Sequence, residues 1–412
     1  QTNRTDGVTM PETPYFVSYP EALKILETQP LSLSTEFVPL DDAFNRILSK
    51  DLESKVDDPR FDNSSMDGFA FRHEDSLNPH PPLSILQTVQ AGTNQRTKPI
   101  GKGQAARIMT GAPIPDGADA ILPIERCEVD EKNSTVHLTE EGKKHFIRKK
   151  GENLAKGQIA LHKGTHLTPS SVGLCATMGH PKVPVFQQAT IGILSTGDEL
   201  QLPGSELKEN EIYESNSFGI ASLVRWSGHK PKRYDSVVDS LDRLREKLDI
   251  AAKECDLILT SGGVSMGEWD LVRKIMEEEG DIKFWRVKIR PGSPPLFGYW
   301  KGVPLFGLPG NPASSHVVFR MLVGPYLRAS TNGGGAQERR VRVQLAESFK
   351  SDEKFLVLRR IKVDTSTDQL LAYSTGYQGS GNLNSLVLAD GLTLLEPGHS
   401  GEKGTWCDAL LL

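Results

Sequence analysis

Three short segments of this chain end an apolar run in glycine and small polar residues. They are residues 189–199, 255–267 and 303–312. Short apolar runs that end in glycine turns, with helical patterns between them, are typical of strands in a parallel sheet. Because ligands bind at the carboxyl ends of such strands, the sequence predicts that the three turns lie together at one edge of a sheet.

Acidic residues lie in or just beyond these turns. Asp198 and Glu199 follow the first strand, and Asp270 follows the glycines of the second turn. Carboxylates from separate turns can hold one magnesium ion beside phosphate oxygens. Acids also cap helices at such positions, and this simpler interpretation stays open, above all for Asp239, a third candidate at the end of another predicted strand.

The second turn contains two adjacent glycines. The backbone amides of Gly262 and Gly263, with the hydroxyls of Ser261 and Ser265, suit a phosphate group. The chain has no Gly-x-x-x-x-Gly-Lys-[Ser/Thr] and no Gly-x-Gly-x-x-Gly pattern, which argues against a P-loop ATPase and an ordinary dinucleotide-binding domain. The turns therefore favour an anionic, phosphate-bearing substrate with a divalent cation.

Composition narrows the class of protein. The 412 residues carry a net charge of -5 with acids and bases interspersed, which argues against nucleic acid as the main partner. No apolar stretch is long enough to span a bilayer. The four cysteines are far apart, which fits a reducing, cytoplasmic compartment rather than a disulfide framework. The basic residues within 142–150 are either a solvated face or one wall of an anion site.

The positions of apolar and turn residues divide the chain into helical and β-rich regions. Periodicity predicts helices at 18–29, at 40–49 and around 172–178, and apolar helix faces at Leu241, Leu244, Leu248 and Ala252 and at Trp269, Val272, Ile275 and Met276. Short strands are predicted at 83–86, 105–109, 120–123, 341–345 and 355–358. The glycine-rich residues 331–335 are predicted to be a linker.

Two polar motifs lie at the start and in the middle of the β-rich region. Residues 61–70 contain Asp67-Gly68, and residues 109–115 present the Thr110 hydroxyl beside a rigid turn. Asp67-Gly68 is either a simple turn or part of a site. If these loops face the edge of the α/β sheet, from another domain or another subunit, they close a cleft.

These motifs together resemble a known family. Residues 62–70, D-N-S-S-M-D-G-F-A, are similar to the N-S-A-M-D-G-Y-A signature of the molybdopterin molybdenumtransferases, the MoeA-type enzymes related to the gephyrin E domain. Residues 107–115, 194–200, 260–267 and 308–312 match four more motifs of this family in the same order. The resemblance runs from near Met10 to the C terminus.

The resemblance implies a reaction and its partners. Enzymes of this family take adenylylated molybdopterin and molybdate, cleave the adenylate in a magnesium-dependent step, and yield molybdenum cofactor and AMP. They are homodimers whose cleft lies between the α/β domain of one subunit and the β-rich domain of the other. An adenylyltransferase acts upstream. The alternative within the same resemblance is a catalytically weakened scaffold or cofactor-binding protein of the gephyrin type.

The resemblance also implies roles for individual residues of this chain. The implied catalytic residues are Asp67, Thr110, Glu199, Asp239 and Asp270, of which Glu199, Asp239 and Asp270 would bind the metal. The implied substrate-binding residues are Ser195, Thr196, Gly197, Ser261, Gly262, Gly263, Ser265, Arg286, Arg290, Pro309, Gly310 and Asn311. Asn153, Ser217 and Ser293 depart from the family pattern, which has an acid, an arginine and a lysine there. A hydrolase of nucleotide-like pyrophosphates is a third interpretation. Such an enzyme would need no β-rich lid, and the lid motifs are present in this chain.

The expected fold class is α/β plus β, in an elongated chain of four parts. A parallel-sheet molybdopterin-binding domain takes residues 15–34 and 188–336, and a connecting domain takes 35–54 and 158–187. A β-rich lid takes 55–157, and a C-terminal β-barrel-like domain takes 337–412. The discontinuous boundaries come from the resemblance.

Overall fold

The largest sheet lies in the α/β part of the chain. The structure, a computed structural model, describes residues 14–92, 96–236, 240–265, 267 and 270–412. The sheet contains, in spatial order, the strands Tyr15–Val17, Asp281–Val287, Leu296–Trp300, Val303–Leu308, Leu257–Ser261, Thr190–Ser195 and Lys230–Arg233. The three strands that precede the glycine turns are parallel neighbours, which confirms that the turns leave the same edge of the sheet.

This sheet is mixed rather than wholly parallel. The strand Leu296–Trp300 runs antiparallel to both of its neighbours. Lys301 and Gly302, with φ of +47° and +84°, form the tight turn that reverses the chain into the next strand. Two-residue turns with positive φ match the twist of antiparallel strands, which explains the reversal.

Helices cover both faces of the sheet. They are Tyr19–Glu27, Asn216–Trp226, Leu241–Glu254, Leu271–Glu279, Pro312–Val318 and Gly324–Ser330, with a π-helical segment Phe319–Val323 between the last two. Ile193 packs into one apolar cluster and the next residue, Leu194, into the other. Burial on both faces explains why the strand is continuously apolar. Each such aliphatic side chain contributes roughly 1.5–3 kcal/mol on burial.

The sequence predicted several helices and one of them is wrong. Tyr19–Glu27 begins after Ser18, whose side chain and that of Glu21 form a capping box, as expected for a helix near 18–29. The predicted helix at 40–49 is only one 3-10 turn, Leu40–Asp42. Asn45 has a φ of +61°, and Leu48 forms a bridge with Val185. A left-handed residue followed by strand-like pairing ends any helix.

The β-rich part contains a six-stranded sheet. Its strands, in spatial order, are Ala120–Pro123, Gly68–Phe71, Gln104–Ile108, Leu83–Val89, Thr135–Leu138 and Cys127–Asp130. The predicted strands at 83–86, 105–109 and 120–123 are therefore confirmed. Three 3-10 turns, His73–Ser76, Ile124–Arg126 and Lys144–Phe146, connect this region.

Short pairings and one helix make up the region between the β-rich and α/β parts. The helix is Pro169–Thr177. The short strands are Thr35–Pro39 with Lys182–Phe186 and Leu52–Glu53 with Ile159–Leu161. A separate apolar cluster that includes Val38, Leu48, Cys175 and Val183 forms its core. Two further short pairings lie outside this region: Asn63–Ser64 with Ile147–Arg148 in the β-rich part, and Leu200–Gln201 with Ile212–Tyr213 beside the α/β sheet.

The C-terminal part is a closed barrel. Its strands, in spatial order, are Arg339–Leu345, Leu371–Ser374, Arg360–Asp364, Gly391–Leu394 and Trp406–Leu411. A short helix, Leu383–Val387, was not predicted. The strand Leu356–Val357 pairs with Ile289–Arg290, and Leu392 and Leu394 belong to the same apolar cluster as the α/β core. The barrel and the α/β part therefore share buried surface.

The predicted linker at 331–335 is a packed segment, which corrects that expectation. Thr331 is buried, and its hydroxyl donates to the carbonyl of Gly334 at 2.7 Å. A Cβ on Gly334 would lie 2.1 Å from the carbonyl oxygen of Gly164, so only glycine allows this approach. In the described part of the chain, no helix is long and apolar enough to cross a membrane. The four domain boundaries given above stay a prediction.

Candidate functional site

A cleft of about 500 Å³ lies at the carboxyl ends of the parallel strands. The predicted site residues that line it are Ser195, Thr196, Gly197, Glu199, Ser261, Gly262, Gly263, Ser265, Asp270, Pro309, Gly310 and Asn311. The cleft has contributions from all three glycine turns. Residues that are separated by more than a hundred positions in the chain thus line one cavity because their strands are neighbours.

The second turn needs its glycines and uses one of their amides internally. Gly262 and Gly263 have φ of +93° and +70°, a region that L side chains rarely adopt. The amide of Gly262 donates to the carbonyl of Leu308 at 3.0 Å, and the amide of Thr196 donates to the carbonyl of Ser261 at 3.1 Å. These bonds join the three turns. They also correct the expectation that both glycine amides are available to an anion, because that of Gly262 is engaged.

Two carboxylates reach the cleft from different turns. Glu199 is exposed on the first turn, and half-buried Asp270 precedes the helix Leu271–Glu279 and accepts a hydrogen bond from the amide of Gly267. Asp198 lines a neighbouring cavity with Glu199 and Lys208. Asp239 lies outside the described residues. Among the residues that the structure describes, no group of three or more His, Cys, Asp or Glu is placed to hold a metal ion.

Arg286 and Arg290 are not among the residues that line the cleft. Arg290 forms an ion pair with Asp352 at 2.8 Å, and its guanidinium lies 4.0 Å from the ring centre of Phe355. Arg286 donates to the hydroxyl of Tyr15 at 2.9 Å. Both arginines therefore pack on aromatic rings at the junction with the barrel, where cation–π contacts favour them. Their substrate-binding role stays a prediction.

Asp67 and Thr110 form a pair in the β-rich part. The amide and the hydroxyl of Thr110 both donate to Oδ1 of Asp67, at 2.6 and 2.9 Å. The backbone hydrogen bond, and then the hydroxyl, hold the pKa of Asp67 below its usual value. Gly68 pairs with Ile108 in the sheet, which explains how two distant motifs meet. Neither residue of the pair lines the cleft in the α/β part.

The structure places in the cleft wall a segment, residues 214–216, for which sequence reasoning predicts no role. Glu214, two residues before the helix Asn216–Trp226, and Asn216, its first residue, both line the cleft. A polar run before a helix is ordinary capping sequence, so no pattern in the chain distinguishes these residues. The barrel also reaches the third turn, because the carbonyl of Ser380 accepts a hydrogen bond from the amide of Ala313 at 3.1 Å.

Three family models match consecutive parts of the chain. The MoeA N-terminal region (domain I and II) matches residues 17–179, the probable molybdopterin binding domain matches 192–329, and the MoeA C-terminal region (domain IV) matches 342–412. Together they cover most of the chain.

Similar proteins include curated enzymes and a solved structure. The molybdopterin molybdenumtransferase of Haemophilus influenzae is 39% identical over 311 residues, 74% of this chain and 75% of that one. The one from Bacillus subtilis is 33% identical over 390 residues, 92% of this chain and 90% of that one. The crystal structure of the molybdopterin biosynthesis moeA protein from Pyrococcus horikoshii OT3 has a TM-score of 0.81 at 29% identity and covers 96% of this chain and all of its own.

Proposed function

The chain belongs to the MoeA family of molybdopterin molybdenumtransferases, enzymes of molybdenum cofactor biosynthesis, and from this premise we propose that it inserts molybdenum into adenylylated molybdopterin. The substrates are adenylylated molybdopterin and molybdate, and the products are molybdenum cofactor and AMP. An upstream adenylyltransferase supplies the first substrate. The four free cysteines fit a reducing compartment, which supports the cytoplasm as the location.

The observation that carries this proposal is the cleft formed by the three glycine turns. Its wall offers the hydroxyls of Ser261 and Ser265, which are donors that suit phosphate and pterin groups, whereas the Ser195 hydroxyl is already bonded to Glu214. Two of its carboxylates, Glu199 and Asp270, come from separate turns. Donors and acids in one cavity fit a substrate that carries a phosphoanhydride beside a metal oxyanion.

The donor set of the cleft fits a magnesium ion. Magnesium is usually bound by one or two carboxylates together with substrate phosphate oxygens and water, so Glu199 and Asp270 are sufficient protein ligands. Asp239 would add a third. When bound, the ion neutralises charge on the phosphoanhydride that is cleaved. The protein's own contribution is to hold the anhydride along the turns and the dithiolene toward molybdate.

The chemical balance of the reaction needs no oxidant. Water cleaves the phosphoanhydride, so AMP leaves with its phosphate and molybdopterin keeps its own. Two thiols of the dithiolene then replace two oxygens of molybdate, which depart as water after taking up protons. Molybdenum remains hexavalent.

We propose further that the active cleft is shared by two copies of the chain. The Asp67–Thr110 pair is intact but does not line the cleft of its own α/β part. A second copy would bring this pair to the cleft and complete the catalytic set with Glu199, Asp239 and Asp270.

The first experiment is anaerobic incubation of the purified protein with adenylylated molybdopterin, magnesium and molybdate. We expect AMP release and active cofactor, both dependent on molybdate. Tight binding of the substrate with no AMP release would contradict the insertase and favour the scaffold or storage role. AMP release without cofactor formation would make the protein a pyrophosphate hydrolase.

A further inference from the structure

One short segment is bonded to all three glycine turns of the cleft. The hydroxyl of Ser195, in the first turn, donates to Oε1 of Glu214 at 3.0 Å. The side-chain amide of Asn216 lies 2.7 Å from the hydroxyl of Ser261 in the second turn and 2.7 Å from the carbonyl oxygen of Gly310 in the third. Two residues therefore contact three turns that are distant in the sequence.

The orientation of the Asn216 amide follows from its partners. A carbonyl oxygen only accepts, so the atom beside Gly310 must be the nitrogen Nδ2. Its two hydrogens then serve the hydroxyl of Ser261 and the carbonyl of Gly310. A carboxylate in this place would face the carbonyl with a negative charge, so asparagine and aspartate are not interchangeable here.

Glu214 is a buried acid with a complete set of donors. It is only 3% exposed, and it accepts from the amide of Ser217 at 2.8 Å and from the Ser217 hydroxyl at 2.5 Å, besides Ser195. It precedes the 11-residue helix Asn216–Trp226, whose amino end favours a negative charge.

The guanidinium of Arg233 is linked to the carboxylate of Glu214 through the hydroxyl of Ser217. Arg233 donates to the hydroxyl of Ser217 at 3.1 Å, and that hydroxyl donates in turn to Glu214. The guanidinium of Arg233 lies 3.7 Å from the ring centre of Phe218, which fixes its place. Arg233 ends the strand parallel to Thr190–Ser195, so these contacts link the segment to the sheet as well as to the turns.

We propose that Glu214 and Asn216 are positioning residues that hold the three turns at the spacing the substrate requires. Backbone hydrogen bonds join the turns only near their beginnings, from Thr196 to Ser261 and from Gly262 to Leu308. Asn216 adds a bond at Gly310, at the far wall of the cleft. The effect on turnover rests on the proposed function, whereas the effect on the turns themselves does not.

The experiment compares Asn216→Asp and Asn216→Ala with the control Asn332→Asp. Asn332 is exposed and also donates its side-chain amide to a carbonyl, that of Lys163 at 3.2 Å, away from the cleft. Hydrogen exchange is measured on peptides that cover residues 261–263, residues 309–311 and, for comparison, the barrel strand Arg339–Leu345. AMP release gives kcat and KM for adenylylated molybdopterin.

We expect Asn216→Asp to accelerate exchange in both turns and to leave the barrel unchanged. We expect kcat/KM to fall about tenfold, a factor that corresponds to ~1.4 kcal/mol, with a smaller fall for Asn216→Ala because no charge is introduced. The control should match the wild type in the turns and in kinetics.

Three results would overturn the proposal. Unchanged exchange with a higher KM would mean that Asn216 contacts the substrate instead of positioning the turns. Faster exchange throughout the protein would mean general destabilisation, and unchanged exchange with unchanged kinetics would mean no role. If the wild type releases no AMP, the insertase proposal fails, and the exchange result still decides the positioning role.

Glu214→Gln tests the other half of the segment. Glutamine keeps one acceptor oxygen, and an NH2 group in place of Oε1 would face both the Ser195 hydroxyl and the Ser217 amide, which donate to that atom. We expect faster exchange in the first turn, at residues 195–197, and little change at 309–311. The reverse pattern would overturn the assignment of Glu214 to the first turn.

Discussion

The cleft in the α/β part and the Asp67–Thr110 pair in the β-rich part are two acidic sites of different kinds. In the cleft, Glu199 is exposed and Asp270 is half-buried, and both face a cavity of about 500 Å³. In the pair, Oδ1 of Asp67 already accepts two hydrogen bonds from Thr110. The cleft has space for a substrate, whereas the pair is an ordered acid that does not line that cleft.

In the proposed reaction, these two sites have different roles. Acids that bind a cation together with the substrate, the role proposed for Glu199 and Asp270, must be accessible in the free protein. An acid that is fixed by its own chain keeps one orientation, and the hydroxyl beside it is held in the same place. The predictions below separate these two roles.

The largest effect is expected from Glu199→Gln. Loss of the carboxylate removes a proposed metal ligand without changing volume, so magnesium-dependent AMP release should fall on the order of 10²-fold or more. Folding and dimerisation should be kept, because Glu199 is exposed. The measurement is AMP release against magnesium concentration.

The matched control for this variant is Glu209→Gln. Glu209 lines the neighbouring cavity with Glu199 and is not part of the cleft. Normal AMP release is expected from it. If Glu199→Gln also releases AMP at the normal rate, Glu199 has no part in the site.

Asp67→Asn should also lower AMP release strongly, and mixed dimers show where Asp67 acts. When Asp67→Asn and Glu199→Gln subunits associate randomly, half of the dimers contain one cleft with both native residues. For a cleft shared across a two-fold axis, about a quarter of the wild-type activity should return. No recovery in dimers of verified mixed composition would place Asp67 and Glu199 in the same subunit's site.

A smaller effect concerns the proton affinity of Asp67. Since the folded protein holds this pKa below its usual value, the stabilisation from the pair is present above the ordinary pKa of an aspartate and is lost as the pH falls through the lowered value. Thr110→Val removes the hydroxyl donor and should raise the pKa. A carboxyl-carbon NMR titration measures it.

Asp130 provides the internal reference for this titration. Its pKa is also lowered, mainly by hydrogen bonds from Asn133 in a separate turn. It should not move in Thr110→Val. An unchanged Asp67 pKa in that variant would show that the hydroxyl has no influence on it.

The smallest effect on catalysis is expected from a histidine at the opposite end of the sheet. The ring of His229 accepts a hydrogen bond from the amide of Ala189, which precedes the strand Thr190–Ser195. Burial lowers the pKa of His229 to about 4. Between the usual value of 6.5 and about 4, the unfolded chain binds a proton that the folded chain does not, so the free energy of unfolding should fall as the pH is lowered.

His229→Gln should flatten this dependence and leave AMP release per folded molecule unchanged. Denaturant unfolding at several pH values between 7 and 4 measures the slope. His316, whose pKa burial also lowers to about 4, and His166, whose pKa burial lowers as well, contribute to the slope that remains in the variant. A slope equal to that of the wild type would mean that His229 does not carry the effect.

The sequence was sufficient for the elements whose signal is local. The apolar runs predicted the strands before each glycine turn, and a serine and a glutamate three residues apart mark the start of Tyr19–Glu27. The shared edge of the turns followed from the general behaviour of parallel sheets. The acids Glu199 and Asp270 were found because they are close in sequence to those glycines.

The parts that the sequence missed depend on which segments become neighbours. Asn216 contacts Gly310 across 94 positions, and nothing near Asn216 in the chain specifies that partner. The apolar pattern at 40–49 resembled a helix, but Ile47 and Leu48 pair with other segments instead. The contacts of Arg286 and Arg290 with the aromatic rings of Phe16 and Phe355 also join distant segments, and no local pattern specifies them.

The contact between Gly334 and Gly164 bears on how this protein can be cut. A protease that prefers flexible glycine-rich stretches would find residues 331–335 held by the Thr331 hydroxyl and by a neighbouring chain segment. A truncation there would also uncover Leu392 and Leu394, which share the α/β core. The barrel is therefore a poor candidate for separate expression, because the glycine-rich residues 331–335 that precede it are packed against the rest of the protein.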